Sequence, residues 1–167
     1  MELNDIYDKD RNLTGRTHRR GTPWGKGEYG LVVCVWVYDG KGNVLLTRRA
    51  PEKSFAGTWE NSGGAARAGE TSLQAICREL REETGICAAE EEFRLLATGR
   101  DRVCHYDFYC LRRSADTPVT LQPGETDDYK WATYEQVHRM IEEKQICKII
   151  AKQFLRQEPM LRQLDTL

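Results

Sequence analysis

Residues 29–38 constrain the fold more than any other segment, because they form an almost unbroken run of β-branched and aromatic side chains. Such a run is typical of a strand that is buried on both faces. The turn at residues 39–43 is rich in glycine and leads into residues 44–48, which predicts a hairpin. We therefore expect a sheet in which at least this strand is covered on both sides.

The remaining elements indicate how that sheet is completed. Further strands are predicted at residues 6–8, 13–17, 93–100, 103–111 and 129–132, with a loop at 116–128. Two helices are predicted to begin at Thr71 and Thr133, each in a capping box with a glutamine three residues later. A third helix has an apolar stripe at residues 146–154 and is expected to end before Pro159. Strands with a few helices and no regular alternation indicate an α+β fold or a mixed-sheet sandwich.

Length and composition set the broad class. The 167 residues fit one domain, residues 1–167, whose first 28 residues form an N-terminal β arm. The 25 Lys and Arg nearly balance the 26 Asp and Glu, so the net charge of −1 attracts neither nucleic acid nor an anionic membrane. No apolar run approaches the roughly 18 residues of a membrane span, and no secretory signal is recognisable. A cytoplasmic protein with reduced cysteines is expected.

The helix predicted after Thr71 carries Glu79, Glu82 and Glu83 beside its buried face. Carboxylates at these spacings repel one another. One interpretation is a solvated acidic face, which is the usual place for such residues. The other is a metal site, because Mg2+ prefers carboxylate and carbonyl oxygens and the glycine-rich turn before the helix exposes backbone carbonyls.

The segment from Gly64 to Ile86 resembles the signature of the Nudix family, G-x5-E-x7-R-E-U-x-E-E-x-G-U, where U is aliphatic. Every fixed position is filled. The resemblance implies an α+β fold in which a mixed sheet is sandwiched between helices, an α/β/α sandwich. It also implies a hydrolase that cleaves the diphosphate linkage of a nucleoside diphosphate derivative or a related small pyrophosphate, with Mg2+ or Mn2+ as the cofactor.

The same resemblance implies roles for individual residues. The implied metal ligands are Glu79, Glu82, Glu83 and the carbonyl of Gly63, and the three glutamates are also catalytic. The implied supporting residues are Gly64, Glu70, Arg78 and Gly85.

Other candidate site residues lie outside the signature. The general base is expected to be a glutamate of the signature or one from a later loop, where Glu125 is the candidate; an ordinary turn carboxylate is the equal alternative. Arg48 and Arg49 are candidates for binding substrate phosphate through the guanidinium fork. Arg16, Arg19 and Arg20 of the arm are further candidates, and for each arginine a solvated position is the alternative.

Looser matches over roughly residues 3–135 resemble the branch of the Nudix family related to isopentenyl-diphosphate isomerase. This raises an alternative function, an isomerase that moves a double bond by proton transfer. Such isomerases carry a catalytic cysteine just after a Trp-x-Asn-Ser segment, where this chain has Gly63, and their signature is degraded. Cys34 is expected to be a packed thiol. A hydrolase is therefore favoured over an isomerase, and the intact signature disfavours a non-catalytic nucleotide-binding module.

The expected partner is a small-molecule diphosphate substrate. No membrane and no extended nucleic acid is expected, because no extended basic surface accompanies the site. The sequence leaves the oligomeric state open, since the arm either pairs with its own sheet or is exchanged in a homodimer.

Overall fold

The computed structural model describes residues 2–167. The predicted domain and its arm both begin at residue 1, which lies outside the described residues. In chain order the elements are β1 (Leu3–Tyr7), β2 (Leu13–Arg19), β3 (Gly30–Tyr38), β4 (Asn43–Arg49), β5 (Trp59–Glu60), β6 (Ser62–Ala65), α1 (Ser72–Thr84), β7 (Arg94–Arg100), β8 (Cys104–Arg112), β9 (Thr126–Thr133), α2 (Tyr134–Glu142) and α3 (Lys148–Leu164).

Strand β3 lies in the middle of a seven-stranded mixed sheet with the order β5-β4-β3-β8-β7, in which β6 also pairs with β3 and β9 with β4. It runs parallel to β8 along its whole length. On its other side β3 meets β4 only where Tyr38 pairs with Val44, and β6 occupies the edge that β4 leaves free. This arrangement places Gly63 opposite Cys34 in the middle of the sheet.

Helices cover both faces of the sheet, which confirms the predicted α+β sandwich. Val35 of β3 packs in one apolar cluster with Ile76 of α1. The next side chain, Trp36, points to the opposite face and packs in a second cluster with Phe154 of α3. The indole Nε1 of Trp36 donates a 2.7 Å hydrogen bond to Gln157 in this cluster, so the buried polar group is satisfied.

Helix α1 begins and ends where the sequence predicts. The Thr71 hydroxyl accepts a hydrogen bond from the Gln74 amide at 3.1 Å, and the Gln74 side chain accepts one from the Thr71 amide at 3.0 Å. Gly85 ends the helix in the left-handed conformation with φ of 73°, and its N–H donates to the Arg81 carbonyl. Helix α2 follows the same type of capping box at Thr133.

The prediction that the third helix ends before Pro159 is wrong, because α3 continues through this residue to Leu164. Proline inside a helix removes one hydrogen bond and costs about 3 kcal/mol. The helix continues because Leu161 and Leu164 are both buried in the core. His138 Nε2 of α2 also lies 2.7 Å from a carboxylate oxygen of Glu158, which fixes the helix beside the proline.

Two parts of the sheet differ from the sequence prediction. Strands β5 and β6 were not predicted, because they are short and Gly63 and Gly64 have low β propensity. Strand β9 begins at Thr126, so the loop predicted at 116–128 is shorter than expected. The reason is that β9 pairs with β4 as far as Thr126 opposite Arg49.

The N-terminal arm packs against its own chain. Strands β1 and β2 form a separate two-stranded sheet. In the turn between them Arg11 adopts φ of 67°, and both terminal nitrogens of its guanidinium donate to the carboxylate of buried Asp107 in β8. The amide of Tyr7 also donates to the Tyr29 carbonyl at 2.8 Å, next to β3. These contacts fix the arm against β8 and the start of β3, two central strands of the main sheet. Among residues 2–167 no helix is long and apolar enough to span a membrane.

Candidate active site

A polar cleft of about 250 Å³ opens where β6, α1, the loop after β4 and the loop before β9 meet. It is lined by Glu2, Arg20, Arg49, Lys53, Glu60, Gly63, Gly64, Ala65, Arg67, Arg78, Glu79, Glu82, Glu83, Gln122 and Glu125. The cleft therefore brings together all of the predicted metal ligands, the predicted base Glu125 and two of the five candidate arginines, Arg20 and Arg49.

The two glycines of β6 lie close to their neighbours. A Cβ at Gly63 would overlap the carbonyl oxygen of Val33, and a Cβ at Gly64 would overlap the carboxylate of Glu79. Gly63 is therefore required by its close approach to the central strand, whereas a side chain at Gly64 would displace Glu79. This arrangement brings the backbone of β6 directly beside the acidic face of α1.

Arg78 organises the acidic face of α1. Its Nε and Nη2 donate to the two carboxylate oxygens of Glu70 at 2.6 and 2.9 Å, and Nη2 also donates to the Ala65 carbonyl at 3.1 Å. Its Nη1 donates to Glu79 at 2.7 Å and to Glu82 at 3.2 Å. The hydrogen bond to Glu70 is the main cause that raises the pKa of Arg78, so the guanidinium stays charged. Arg78 thus contacts Glu70, Glu79 and Glu82 at once.

Glu83 has the least compensated charge in the cleft. Its carboxylate accepts a 3.3 Å hydrogen bond from the amide of Gly63. Among residues 2–167 it is the one signature glutamate that forms no ion pair, whereas Arg78 contacts the other three. Burial raises the pKa of Glu83 well above its usual range, and the charges of Glu60 and Glu79 raise it further. A positive charge in the cleft would stabilise its ionised form.

The donor set of the cleft suits a hard cation. Within the described part of the chain, no three acidic, histidine or cysteine side chains already converge in a metal-binding cluster. Arg78 draws Glu79 and Glu82 towards itself, while Glu83 faces the Gly63 amide. All the available donors are carboxylate and carbonyl oxygens, which Mg2+ prefers over nitrogen and sulfur donors. The under-compensated carboxylate of Glu83 fits the same interpretation.

Basic side chains on the rim of the cleft are each paired with a carboxylate. Arg49 Nη1 donates to both oxygens of Glu60 at 2.7 and 2.9 Å. Lys53 forms an ion pair with Glu125, and Arg20 of the arm forms one with Glu2 at 2.9 Å. Arg67 lies 3.5 Å from Glu82. The cleft thus combines acidic and basic groups, as a site for a metal ion with an anionic substrate would.

Sequence reasoning missed six residues that line the cleft, namely Glu2, Lys53, Glu60, Ala65, Arg67 and Gln122. Glu60 precedes the glycine-rich turn closely enough to have been a candidate. Lys53 and Gln122 come from loops whose ends meet only through the pairing of β4 with β9, so the sequence gives no local signal for them.

Arg48 does not line the cleft. Successive side chains of β4 point to opposite faces, and Arg48 points away from α1. Its Nε donates to Asp127 at 2.7 Å, and its guanidinium lies 5.6 Å from the ring centre of Trp59. Gly85 also lies outside the cleft, where it ends α1.

Cys34 is a packed thiol beneath the glycine-rich turn. It is 7% exposed and pairs with Gly63 across the sheet. Burial raises the pKa of its thiol, and the charges of Glu60, Glu83 and Glu79 raise it further. Because the thiolate is the reactive form of cysteine, this position opposes nucleophilic or acid–base use of Cys34.

Comparison with known proteins agrees with this geometry. The NUDIX domain family matches residues 28–153. The chain belongs to the Nudix family. An uncharacterized Nudix hydrolase of Listeria monocytogenes is 32% identical over 143 residues, which cover 84% of this chain and 85% of that protein. A crystal structure of a Deinococcus radiodurans protein has a TM-score of 0.78 at 23% identity and covers 93% of this chain and 99% of that one, so the two share a fold.

The isomerase branch is also among the relatives of this Nudix protein. An isopentenyl-diphosphate Delta-isomerase of Clavibacter sepedonicus is 34% identical over 144 residues, which cover 81% of this chain and 76% of that protein. The resemblance that the sequence shows to both groups is therefore confirmed. The named relatives include hydrolases and isomerases, and the residues of the cleft must decide between these activities.

Proposed function

We propose that this Nudix protein is a metal-dependent pyrophosphohydrolase that cleaves the diphosphate linkage of a nucleoside diphosphate derivative or a related small pyrophosphate. The observation that carries this proposal is that Glu79, Glu82 and Glu83 line one cleft together with basic side chains on its rim. An isomerase that acts through a thiol finds no support there, because Gly63 stands where the isomerases have cysteine and Cys34 is buried.

The proposed cofactor is Mg2+, with Mn2+ as the alternative. Its ligands would be the carboxylates of Glu79, Glu82 and Glu83 and the carbonyl of Gly63. When bound, the ion would offset the charge of the diphosphate and lower the pKa of a water molecule. Arg78 would hold Glu79 and Glu82 near each other before the ion binds, at the distances described above.

Residues on the rim are proposed to bind the substrate and to accept the proton. Arg49 is proposed to bind and orient a substrate phosphate, since Glu60 and the Ser54 carbonyl hold its guanidinium at the wall of the cleft. Glu125 is proposed as the general base that takes a proton from water. The water oxygen then bonds to phosphorus, the bridging P–O bond breaks, and its electron pair leaves with the departing phosphate.

The proposal is tested by measuring phosphate and nucleotide release with Mg2+ and then Mn2+. The substrates are nucleoside triphosphates, nucleotide sugars, dinucleoside polyphosphates and isopentenyl diphosphate. Glu83→Gln serves as the blank, since it removes a ligand charge and keeps the shape. Metal-dependent cleavage that the blank lacks supports the hydrolase. Conversion of isopentenyl diphosphate to its double-bond isomer, without hydrolysis of any substrate, would replace the proposal with the isomerase alternative.

A further inference from the structure

The ion pair of Lys53 with Glu125 joins the two loops that form one wall of the cleft. Lys53 lies in the loop after β4, and Glu125 immediately precedes β9. The Lys53 ammonium contacts the Oε2 atom of Glu125, and both side chains line the cleft. Within the described residues the ammonium pairs with no second carboxylate. Lys53 is therefore the sole cation that contacts the proposed base there.

The backbone holds Glu125 in place independently of this ion pair. The Ala50 amide donates to the Glu125 carbonyl at 3.0 Å, and the Glu125 amide donates to the Gln122 carbonyl at 3.2 Å. The Lys53 amide donates in turn to the Ala50 carbonyl at 3.0 Å. If the ammonium moved away, these bonds would still hold the backbone of Glu125 at the wall of the cleft.

The ion pair restricts how water can reach the carboxylate of Glu125. The ammonium occupies Oε2, so while the pair lasts a water molecule can approach the carboxylate only through Oε1. The side chains of Lys53 and Glu125 are 24% and 40% exposed, so the pair is partly solvated. Partly exposed ion pairs contribute little stability. A phosphate group carries more charge than a carboxylate and offers more acceptor oxygens, so it can displace Glu125 from the ammonium.

We propose that Lys53 binds a phosphate of the substrate, and that this exchange releases Glu125 to act as the base. The inference rests on the proposed function, and it adds a positioning residue that couples substrate binding to the availability of the proton acceptor. Free Glu125 then takes the proton of the attacking water, while Lys53 stays on the phosphate that it has bound.

The exchange predicts opposite changes in binding affinity when Lys53 and when Glu125 is replaced. Calorimetry with methylenediphosphonate, which is not hydrolysed, measures binding in the presence of Mg2+. Lys53→Met is expected to weaken binding by about tenfold, the usual effect of losing one charged hydrogen bond. Glu125→Gln is expected to tighten binding several-fold, because it removes the carboxylate that competes for Lys53. Lys53→Arg keeps the cation and should restore most of the affinity.

Controls separate this exchange from a purely structural ion pair. Lys41→Met, in the exposed turn between β3 and β4, is the matched control and should bind as the unmodified protein does. Weaker binding in both Lys53→Met and Glu125→Gln, to a similar degree, would overturn the proposal, as would unchanged binding in Lys53→Met. Melting temperatures of all variants confirm that they fold.

Kinetics adds a second readout that distinguishes this proposal from the hydrolase assignment. With a cleaved substrate, Lys53→Met should raise KM and Glu125→Gln should lower kcat. Opposite shifts in binding without any turnover would support the exchange at Lys53 and count against the hydrolase. Turnover with equal loss of affinity in the two variants would support the hydrolase and count against the exchange at Lys53.

Discussion

Arg78 donates two hydrogen bonds to Glu70, at 2.6 and 2.9 Å, although the two residues belong to different segments of the signature. Glu70 lies in the loop before α1, and Arg78 lies in the second turn of the helix. Because the same guanidinium also contacts Glu79 and Glu82, the position of the loop and that of the acidic face depend on one cation. One guanidinium thus joins the loop and the helix of the signature, in addition to the role proposed for its glutamates as metal ligands.

Acid should remove the stabilising effect of this ion pair. The hydrogen bond from Arg78 lowers the pKa of Glu70 below its usual 4.5. A carboxylate with a lowered folded pKa contributes stability that is complete above the unfolded pKa and is lost as the pH falls through the folded value. In urea unfolding, Glu70→Gln and the unmodified protein should therefore differ clearly at pH 7, and the difference should be smaller at pH 3. A gap of equal size at both pH values would contradict this.

Glu83→Gln should separate activity from stability. The carboxylate is partly buried and faces the charges of Glu60 and Glu79, so its neutral replacement relieves repulsion in the folded state. The melting temperature without metal should stay the same or rise. Activity should fall by more than the roughly 10–100-fold loss that follows when a residue hydrogen-bonded to a metal ligand is replaced. Glu91→Gln, in an exposed 3-10 turn, is the control and should change neither quantity. A lower melting temperature with full activity would disprove the assigned role.

The sequence predicts the site well where local chemistry determines it. The capping box at Thr71, the left-handed Gly85 and the acidic face of α1 depend on residues a few positions apart, and all lie where expected. Arg48 and Arg49 could not be told apart in advance, because the outcome depends on which face of β4 turns towards α1. Pro159 misled the prediction, because the burial of Leu161 outweighs the lost hydrogen bond.

Cys34 should be dispensable for catalysis and protected from alkylation. The thiol is buried against Gly63, and burial raises its pKa, so little thiolate forms at neutral pH. Iodoacetamide followed by mass spectrometry should label exposed Cys87 rapidly and Cys34 only after unfolding. Cys34→Ala should lower stability by about 1 kcal/mol through the small cavity and leave turnover within about twofold. Loss of activity with normal stability would instead support thiol chemistry.

Gly63→Ala and Gly64→Ala should fail in different ways although the residues are adjacent. A Cβ at Gly63 would overlap the Val33 carbonyl oxygen, which belongs to the central strand and cannot move without distorting the sheet. This variant should be destabilised by about 1–3 kcal/mol. A Cβ at Gly64 would overlap the end of the flexible Glu79 side chain, which can rotate away. Gly64→Ala should therefore keep its melting temperature within a few degrees and lose activity, because Glu79 is displaced from its position beside Arg78. Thermal unfolding and initial rates on both variants check the contrast. Equal destabilisation of the two variants would show that the turn, rather than the specific neighbour of each glycine, determines the effect.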